Sequence, residues 1–429
     1  MIGSDPGTGK TYCVLTYINT HNRPAPGEYI AVLAPKSICE AAWADDAAKF
    51  TPDLPLFVGL GSRAKKVAAI KRAREIGGVV VTNHDAVDVL LDEVLGLVGL
   101  VVDESTAYKN RNAKRTKAIL KLAKLPSVRM AIPMSGTPTP QTVMDIWSQM
   151  EIARPGFLPM YRKLQQELQT PVAQPVGGRS VILWKDKPDA NLWLSTAIEP
   201  VFIRYAKDEC LDLPEQSTHT KQVSLTKQLR ELYTQFKNKA VLELQTGDVD
   251  AVNAAVLAQK LLQISSGFAY GEGGKVHNLS PERYELVMDL VAERDCTVVA
   301  CPLSAQIDAL QAMAEARGLR HARIDGAVSP TERTEVTRGF QNGDYDVLFC
   351  NPKAAGHGLT FTRSRTIIWV SPTFSSELFL QFNARIDRIG QQHKNEVILI
   401  LAKDTYEEKA YALLTGKVDR QLDLLELLQ

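Results

Sequence analysis

The sequence predicts an α/β fold: two doubly wound parallel-sheet lobes with helical insertions between them. Three observations carry that expectation. Short apolar runs of strand-forming residues alternate with helical stretches over the first third of the chain, the same alternation returns in the last third, and the stretch between breaks the pattern. Runs that are apolar throughout belong to strands buried on both faces, and strands separated by helices pair in parallel.

In the first third the strand candidates are residues 30–33, 79–82, 97–102 and 130–133. In the last third they are 297–300, 346–350, 366–370 and 397–401, with a helix expected over 305–317. Between about 155 and 281, Gly and Pro breaks, scattered Trp and a long helical stretch over 225–244 read as helical insertions plus a linker. The expected division is a first lobe over 1–205 with a helical insertion near 155–200, a linker and helical protrusion over 206–280, and a second lobe over 281–429. No repeat of solenoid length and no low-complexity tract interrupts it.

Composition narrows the class. Of 429 residues, 45% are hydrophobic and 23% charged, which excludes a mainly disordered chain. A formal net charge of +1 means that any nucleic-acid surface must come from local clusters of Lys and Arg. Six cysteines without a CxxC pair and seven dispersed histidines give no zinc-ligand spacing, so the thiols are expected reduced and structural. With no signal-like start and no run near the roughly 18 apolar residues of a membrane span, the expected location is cytoplasmic, or nuclear in a eukaryote.

Residues 4–11 read SDPGTGKT. Gly7 and Gly9 let backbone wrap phosphates, Lys10 reaches the β and γ phosphates, and Thr11 offers a hydroxyl to Mg²⁺. The following stretch can open a helix whose N-terminal N–H groups face the anion. Taken alone, such a stretch is also compatible with a chance Gly-rich turn. The apolar run 97–102 leads directly into Asp103 and Glu104, placing two carboxylates at the C-terminal end of a buried strand, where α/β sheets bind ligands. Alone these would read as a solvated turn or cap. With the loop they form a Walker-type pair, Asp103 holding Mg²⁺ and Glu104 orienting and deprotonating the attacking water.

Residues 103–110, DESTAYKN, resemble the DExH motif of Swi/Snf-related ATPases of helicase superfamily two, with Thr106 where that family has His. APKS (34–37) with Trp43 and Phe50, and VTNHD (81–85), resemble its DNA-contacting segments in the first lobe. MSGTPTP (134–140) with Asp145, Ile146 and Trp147 resembles its coupling motif. RYAKDECLDLPE (204–215) resembles the segment with which the family leaves lobe one, and ISSGF (264–268) another of its markers. RIDGAVS (323–329), AAGHGLTFT (354–362) and QFNARIDRIGQ (381–391) resemble second-lobe motifs. The motifs stand in the family's order from Ser4 to about Leu414, although Phe374, Ser375 and Ser376 replace its Trp-Asn-Pro.

The resemblance implies two RecA-like lobes with ATP and Mg²⁺ at their interface. Ser4, Asp5, Pro6, Gly7, Thr8, Gly9, Lys10 and Thr11, with Gly358 and Gln381, would hold the nucleotide, and Thr11 and Asp103 the metal. Lys10, Asp103, Glu104, Arg385 and Arg388 would be catalytic. If 381–391 is a helix, Gln381, Arg385 and Arg388 share a face, and the two arginines act as fingers on the transferred phosphoryl. DNA contacts would fall on Pro35, Lys36, Thr82, Asn83, Lys109, Asn110, Ser135, Thr137, Asp325, Gly326, Ala355 and Gly356. Six basic residues in 61–75 and seven in 109–124 are further candidate phosphate tracks.

The implied activity is a DNA-dependent ATPase translocating as a monomer on duplex DNA without sequence preference, remodelling DNA or protein–DNA complexes. A strand-separating helicase or restriction-system motor, and a nucleotide-gated DNA clamp with little turnover, remain open alternatives. Only Met1, Ile2 and Gly3 precede Ser4, where a phosphate loop normally follows a buried strand, and no upstream segment offers the family's adenine-reading Gln. The expectation is a chain truncated at its N-terminus, or read from a misassigned start, and poorly active by itself.

Overall fold

The computed structural model describes all residues except 177–178, 246–250, 271–275, 279–280, 356–357, 374, 389, 409, 413 and 415–429. The described residues fall into two compact units, Met1–Thr170 with Lys185–Asp212, and Pro171–Trp184 with the chain from Leu213 onward.

In the first unit β1 (Tyr29–Ala34), β2 (Leu56–Gly59), β3 (Gly78–Asn83), β4 (Leu97–Val102) and β5 (Met130–Pro133) form a parallel sheet of order β2-β3-β1-β4-β5. β1 and β4 are buried at every residue, as continuous apolar runs require. One face packs on Tyr29, Leu33, Leu100 and Ile119, the other on Leu15, Ile18, Val32 and Trp43. Beyond β5 the ladder continues through Ile2, which bridges in parallel to both Met134 and Ile203. The stretch 155–200, expected as helical, holds helices Tyr161–Leu168 and Ala190–Ile198 with the two-stranded ribbon of β6 (Gln169–Val176) and β7 (Arg179–Asp186) between them.

The second unit carries β8 (Gln216–Val223), β9 (Phe268–Tyr270), β10 (Val276–Asn278), β11 (Thr297–Ala300), β12 (His321–Ile324), β13 (Val347–Cys350), β14 (Thr366–Trp369) and β15 (Asn395–Ala402). Its main sheet is parallel, of order β12-β13-β11-β14-β15-β8, with hydrophobic clusters on its two faces. β9 and β10 form a separate antiparallel pair. All eight expected strands are present, and the long helix is Lys227–Gln245. β2, β6, β7, β8, β9, β10 and β12 were not expected; of these, β8 and β12 belong to the main sheet of the second unit. β8 is a polar edge strand with most side chains exposed, and β12 is only four residues long, so neither shows a buried-strand pattern.

An ion pair lies inside the second unit. Arg283 and Glu407 meet at 2.7 Å with side chains 3% and 0% exposed. Arg283 also donates to the carbonyls of Val370 and Ser265, while Glu407 accepts from Ser265 Oγ and the Ala402 N–H. Removing one partner leaves the other charge buried, so Glu407→Ala is expected to cost about 3–5 kcal/mol in urea unfolding of this unit. A loss below 1 kcal/mol, about the ceiling for a surface pair, would mean that water reaches Arg283.

Among the described residues no helix is long and apolar enough to cross a membrane. All six cysteines are free thiols, and four are buried.

Candidate nucleotide and DNA site

The phosphate loop is built from both ends. Gly7 and Gly9 have φ of 89° and 79°, left-handed values that a Cβ disfavours, and Gly9 is the N-cap of helix Lys10–His21. Lys10 and Thr11 thus open a 12-residue helix, with its first N–H groups turned to the loop. Lys10 Nζ donates to the carbonyls of Ser4 (2.7 Å) and Asp5 (2.9 Å), lying across the space the loop encloses. Thr8 Oγ1 donates to Asp5 O at 2.8 Å. Ser4 is buried, which explains why a small residue suffices at that position.

The sheet brings the next two motifs beside this loop. Ile2 N donates to Pro133 O (2.9 Å), Ser135 N to Ile2 O (3.0 Å), Met134 N to Val102 O (2.7 Å) and Ser105 N to Met134 O (2.8 Å). The Ser-Gly-Thr-Pro turn therefore runs between the loop and the acidic strand end. Contact is close: a Cβ on Gly136 would stand 2.9 Å from Pro6 Cδ. Ser135 and Thr137 are buried, Ser135 Oγ accepting from Thr137 N, and among the described residues Thr137 Oγ1 has no hydrogen-bond partner.

Asp103 is 7% exposed. Burial raises its pKa, against the pull of the Trp43 hydrogen bond, Lys10 and the Glu104 N–H. Trp43 Nε1 donates to Asp103 Oδ2 at 2.9 Å, and Glu104 N to Oδ1 at 3.0 Å. Glu104 itself has φ 49°, a left-handed value uncommon for a non-glycine residue. Behind the pair, Ser105 Oγ donates to Gln149 Oε1 (2.6 Å), and Gln149 Nε2 donates to the carbonyls of Pro138 (2.7 Å) and Asp145 (2.9 Å). Sequence reasoning missed Gln149, and it placed Trp43 in a DNA-contacting segment. Trp43 is fully buried. Its contact is the carboxylate, which it orients. Were Asp103 to hold Mg²⁺, Trp43→Phe would raise the Mg²⁺ concentration for half-maximal ATPase about tenfold, as loss of an outer hydrogen bond to a metal ligand usually does. An unchanged Mg²⁺ titration would count against that role.

The proposed first-lobe DNA residues are spread over the surface and the interior. Lys36 and Asn110 are exposed, while Pro35, Asn83 and Lys109 are half-buried. Thr82 is buried and donates to Gly59 O at 2.6 Å. Helix Arg63–Ile76, capped by Ser62, spends Arg63 on Asp92 and Arg72 on Glu75. On helix Lys114–Ala123, Arg115, Lys117 and Lys121 have no ion pair among the described residues.

In the second unit Asp325 is buried. Burial pushes its carboxyl up, but the Arg323 guanidinium and the Ala327 N–H outweigh that and hold it below its ordinary range. Gly326 is exposed, Ala355 is buried, and Gly358 has φ 75°. Gly356 lies outside the described residues, as does residue 374.

Arg385 and Arg388 require a correction. Helix Ser376–Asn383 includes Gln381 but ends before both arginines, so the three do not share a helical face. The helix is not continued because Phe361 N donates to Arg385 O at 2.9 Å, taking a carbonyl that a longer helix would need, while Arg385 N bonds back to Phe382 O. Both guanidiniums turn to one carbonyl, Leu359 O, at 3.2 Å from Arg385 Nη1 and 3.4 Å from Arg388 Nη1. Arg388 Nε also donates to Ala384 O at 3.1 Å.

A phosphate loop opening a helix, an acidic pair ending a parallel strand and a Ser-Gly-Thr-Pro turn laced to both define the first unit as an ATPase lobe of the helicase kind. The chain belongs to the SNF2-related family: the family model for the SNF2-related domain matches residues 1–266, and that for the helicase conserved C-terminal domain matches residues 282–390.

Among its relatives, protein p41 of Acyrthosiphon pisum secondary endosymbiont phage 1 is 26% identical over 94% of this chain and 89% of its own length. A protein of Mycoplasma pneumoniae named as an ATP-dependent helicase is 24% identical over 95% of this chain. The TATA-binding protein-associated factor mot1 of Aspergillus fumigatus is 24% identical over 97% of it. The chain spans only 38% and 25% of those last two proteins. The SWI2/SNF2 ATPase core of Sulfolobus solfataricus in complex with dsDNA aligns with 99% of this chain and 87% of its own, at 22% identity and a TM-score of 0.42.

Proposed function

We propose that this chain is a DNA-dependent ATPase that translocates on duplex DNA and so remodels DNA or displaces bound protein. One observation carries the reading: the ladder from Ile2 through Pro133–Ser135 to Val102, which seats the phosphate loop, the Ser-Gly-Thr-Pro turn and the acidic strand end side by side. Such adjacency lets a change at the nucleotide reach the turn through backbone bonds.

The residues fit ATP with Mg²⁺. Positive-φ glycines and a helix N-terminus suit the phosphates, and Lys10 can exchange its two carbonyl partners for phosphate oxygens. Thr11 and Asp103 would hold the metal, which when bound would screen the triphosphate and offset the cost of a buried carboxylate. Among the described residues no cluster of His, Cys, Asp or Glu forms a metal site without phosphate. Glu104 then orients and deprotonates the attacking water, while Arg385 and Arg388 supply charge to the phosphoryl group as it transfers. Lys36, Asn110, Gly326 and the cations on helix Lys114–Ala123 are the DNA contacts we favour, since they are exposed and read phosphate rather than base. The protein's place is the compartment that holds the DNA, the cytoplasm of a bacterium or phage-infected cell or a eukaryotic nucleus, and we assign it as a monomer.

The test is ATP hydrolysis without nucleic acid, with single-stranded DNA and with duplex DNA, using Lys10→Ala as the blank. We expect strong stimulation by duplex and at least about a 10²-fold loss in the variant, since Lys10 is a charged donor to the transferring group. DNA binding without turnover would instead identify a nucleotide-gated clamp. Unwinding of a forked duplex would identify a strand-separating helicase.

A further inference from the structure

Residues 202–207 run alongside the entry to the phosphate loop. Ile203 N donates to Met1 O (2.9 Å), Gly3 N to Ile203 O (2.8 Å) and Asp5 N to Tyr205 O (3.3 Å). Tyr205 N donates to Ser4 Oγ (3.0 Å), and Lys207 N to Asp5 Oδ2 (3.1 Å). Phe202 packs so tightly on Gly3 that a Cβ there would come within 2.0 Å of its ring.

Inside this seam lies Arg204, its side chain 2% exposed. Its Nη2 is 3.8 Å from Asp5 Oδ1, an ion pair but not a hydrogen bond, and its Nε and Nη1 have no hydrogen-bond partner among the described residues. A guanidinium this buried and this poorly satisfied is costly to the fold. A shift of Asp5 by about 1 Å would bring the pair to charge-assisted hydrogen-bond distance, near 2.8 Å. Asp5 is the residue whose carbonyl receives Lys10 Nζ at 2.9 Å and Thr8 Oγ1 at 2.8 Å, so any nucleotide that draws Lys10 away loosens it.

We infer that Arg204 is a positioning residue of the phosphate loop. It acts through Asp5, closing on that carboxylate when phosphate takes Lys10 from the Ser4 and Asp5 carbonyls. Loop occupancy is thereby transmitted to the segment that carries the chain out of the first unit at Asp212. The inference rests on ATP binding at this loop.

The experiment compares the full chain with Arg204→Gln, Asp5→Asn, the double variant and Arg204→Met, measuring ATP Kd by calorimetry together with KM, kcat and Tm. Either single polar variant should raise Kd and KM for ATP about tenfold, the loss of one charge-assisted contact, with kcat at saturating ATP changed less than about threefold. The double variant should be no worse than the singles, because both remove one interaction. Arg204→Met keeps the packing volume and removes the charge, so it should keep Tm and still lose ATP affinity. Asp5→Asn, at a side chain 22% exposed, reads the same contact should Arg204→Gln fail to fold. Parental ATP affinity in Arg204→Met or Asp5→Asn, or losses that multiply in the double variant, would overturn the inference while leaving the loop's role intact. No ATP binding by the parent chain would overturn both.

Discussion

Replacing Arg388 by Ala is expected to lower duplex-stimulated kcat by about 10³-fold or more while leaving the Kd for ATP nearly unchanged, the behaviour of a charge that acts on the transferring phosphoryl. Burial pulls the pKa of this arginine down to about 10, which still leaves it cationic at neutral pH. The proposed role needs that charge. In the structure that charge rests on the carbonyls of Leu359 and Ala384, contacts easily exchanged for phosphate oxygens. Arg388→Lys should recover little, because an ammonium cannot reproduce the planar fork. Arg385→Ala is a less clean probe, since Arg385 is 4% exposed and its loss should also lower Tm. Single-turnover hydrolysis at saturating duplex and ATP decides the matter, and parental turnover in Arg388→Ala would remove it from the catalytic set.

Glu104→Gln should reduce kcat by about 10²–10⁴-fold, the usual contribution of a positioned general base, while ATP·Mg²⁺ binds as well as before or better. The side chains have the same shape, so the left-handed backbone at φ 49° and the Ser105 N–H bond to Met134 O are kept. A left-handed backbone at a non-glycine residue is costly, and such strain is common at functional positions, in keeping with the role proposed for Glu104. Asp103→Asn should behave differently, losing Mg²⁺ affinity first, because Asp103 and not Glu104 is the carboxylate that Trp43 orients. A Glu104→Gln chain that hydrolyses ATP at the parental rate would place the base elsewhere.

The buried strands and the local motifs were legible because each is written in a short window. The runs 97–102 and 297–300 announce strands by composition, and SDPGTGKT announces a phosphate loop by spacing. What stayed hidden is long-range. Nothing near Trp43 tells that its indole meets Asp103, 60 positions later, and nothing near Ser105 points to Gln149. β8 was missed because an edge strand can be polar on both faces. The helix expected through Arg388 failed for the same long-range reason: Phe361 takes the Arg385 carbonyl from a distant loop, and local propensity cannot foresee a competitor for that bond.

Ile2 is bonded to Pro133 and Ser135, and Gly3 to Ile203, so the stretch before the phosphate loop finds its first partners about 130 positions later and its last about 200 positions later. On a ribosome adding about 5–20 residues per second, the nascent phosphate loop waits at least ten seconds or so for its seat. Its ordering closes a chain loop of great length, among the slowest kinds of contact to form. The seat of the loop is thus assembled from strands far apart in the chain, and its completion requires residues as late as Ile203.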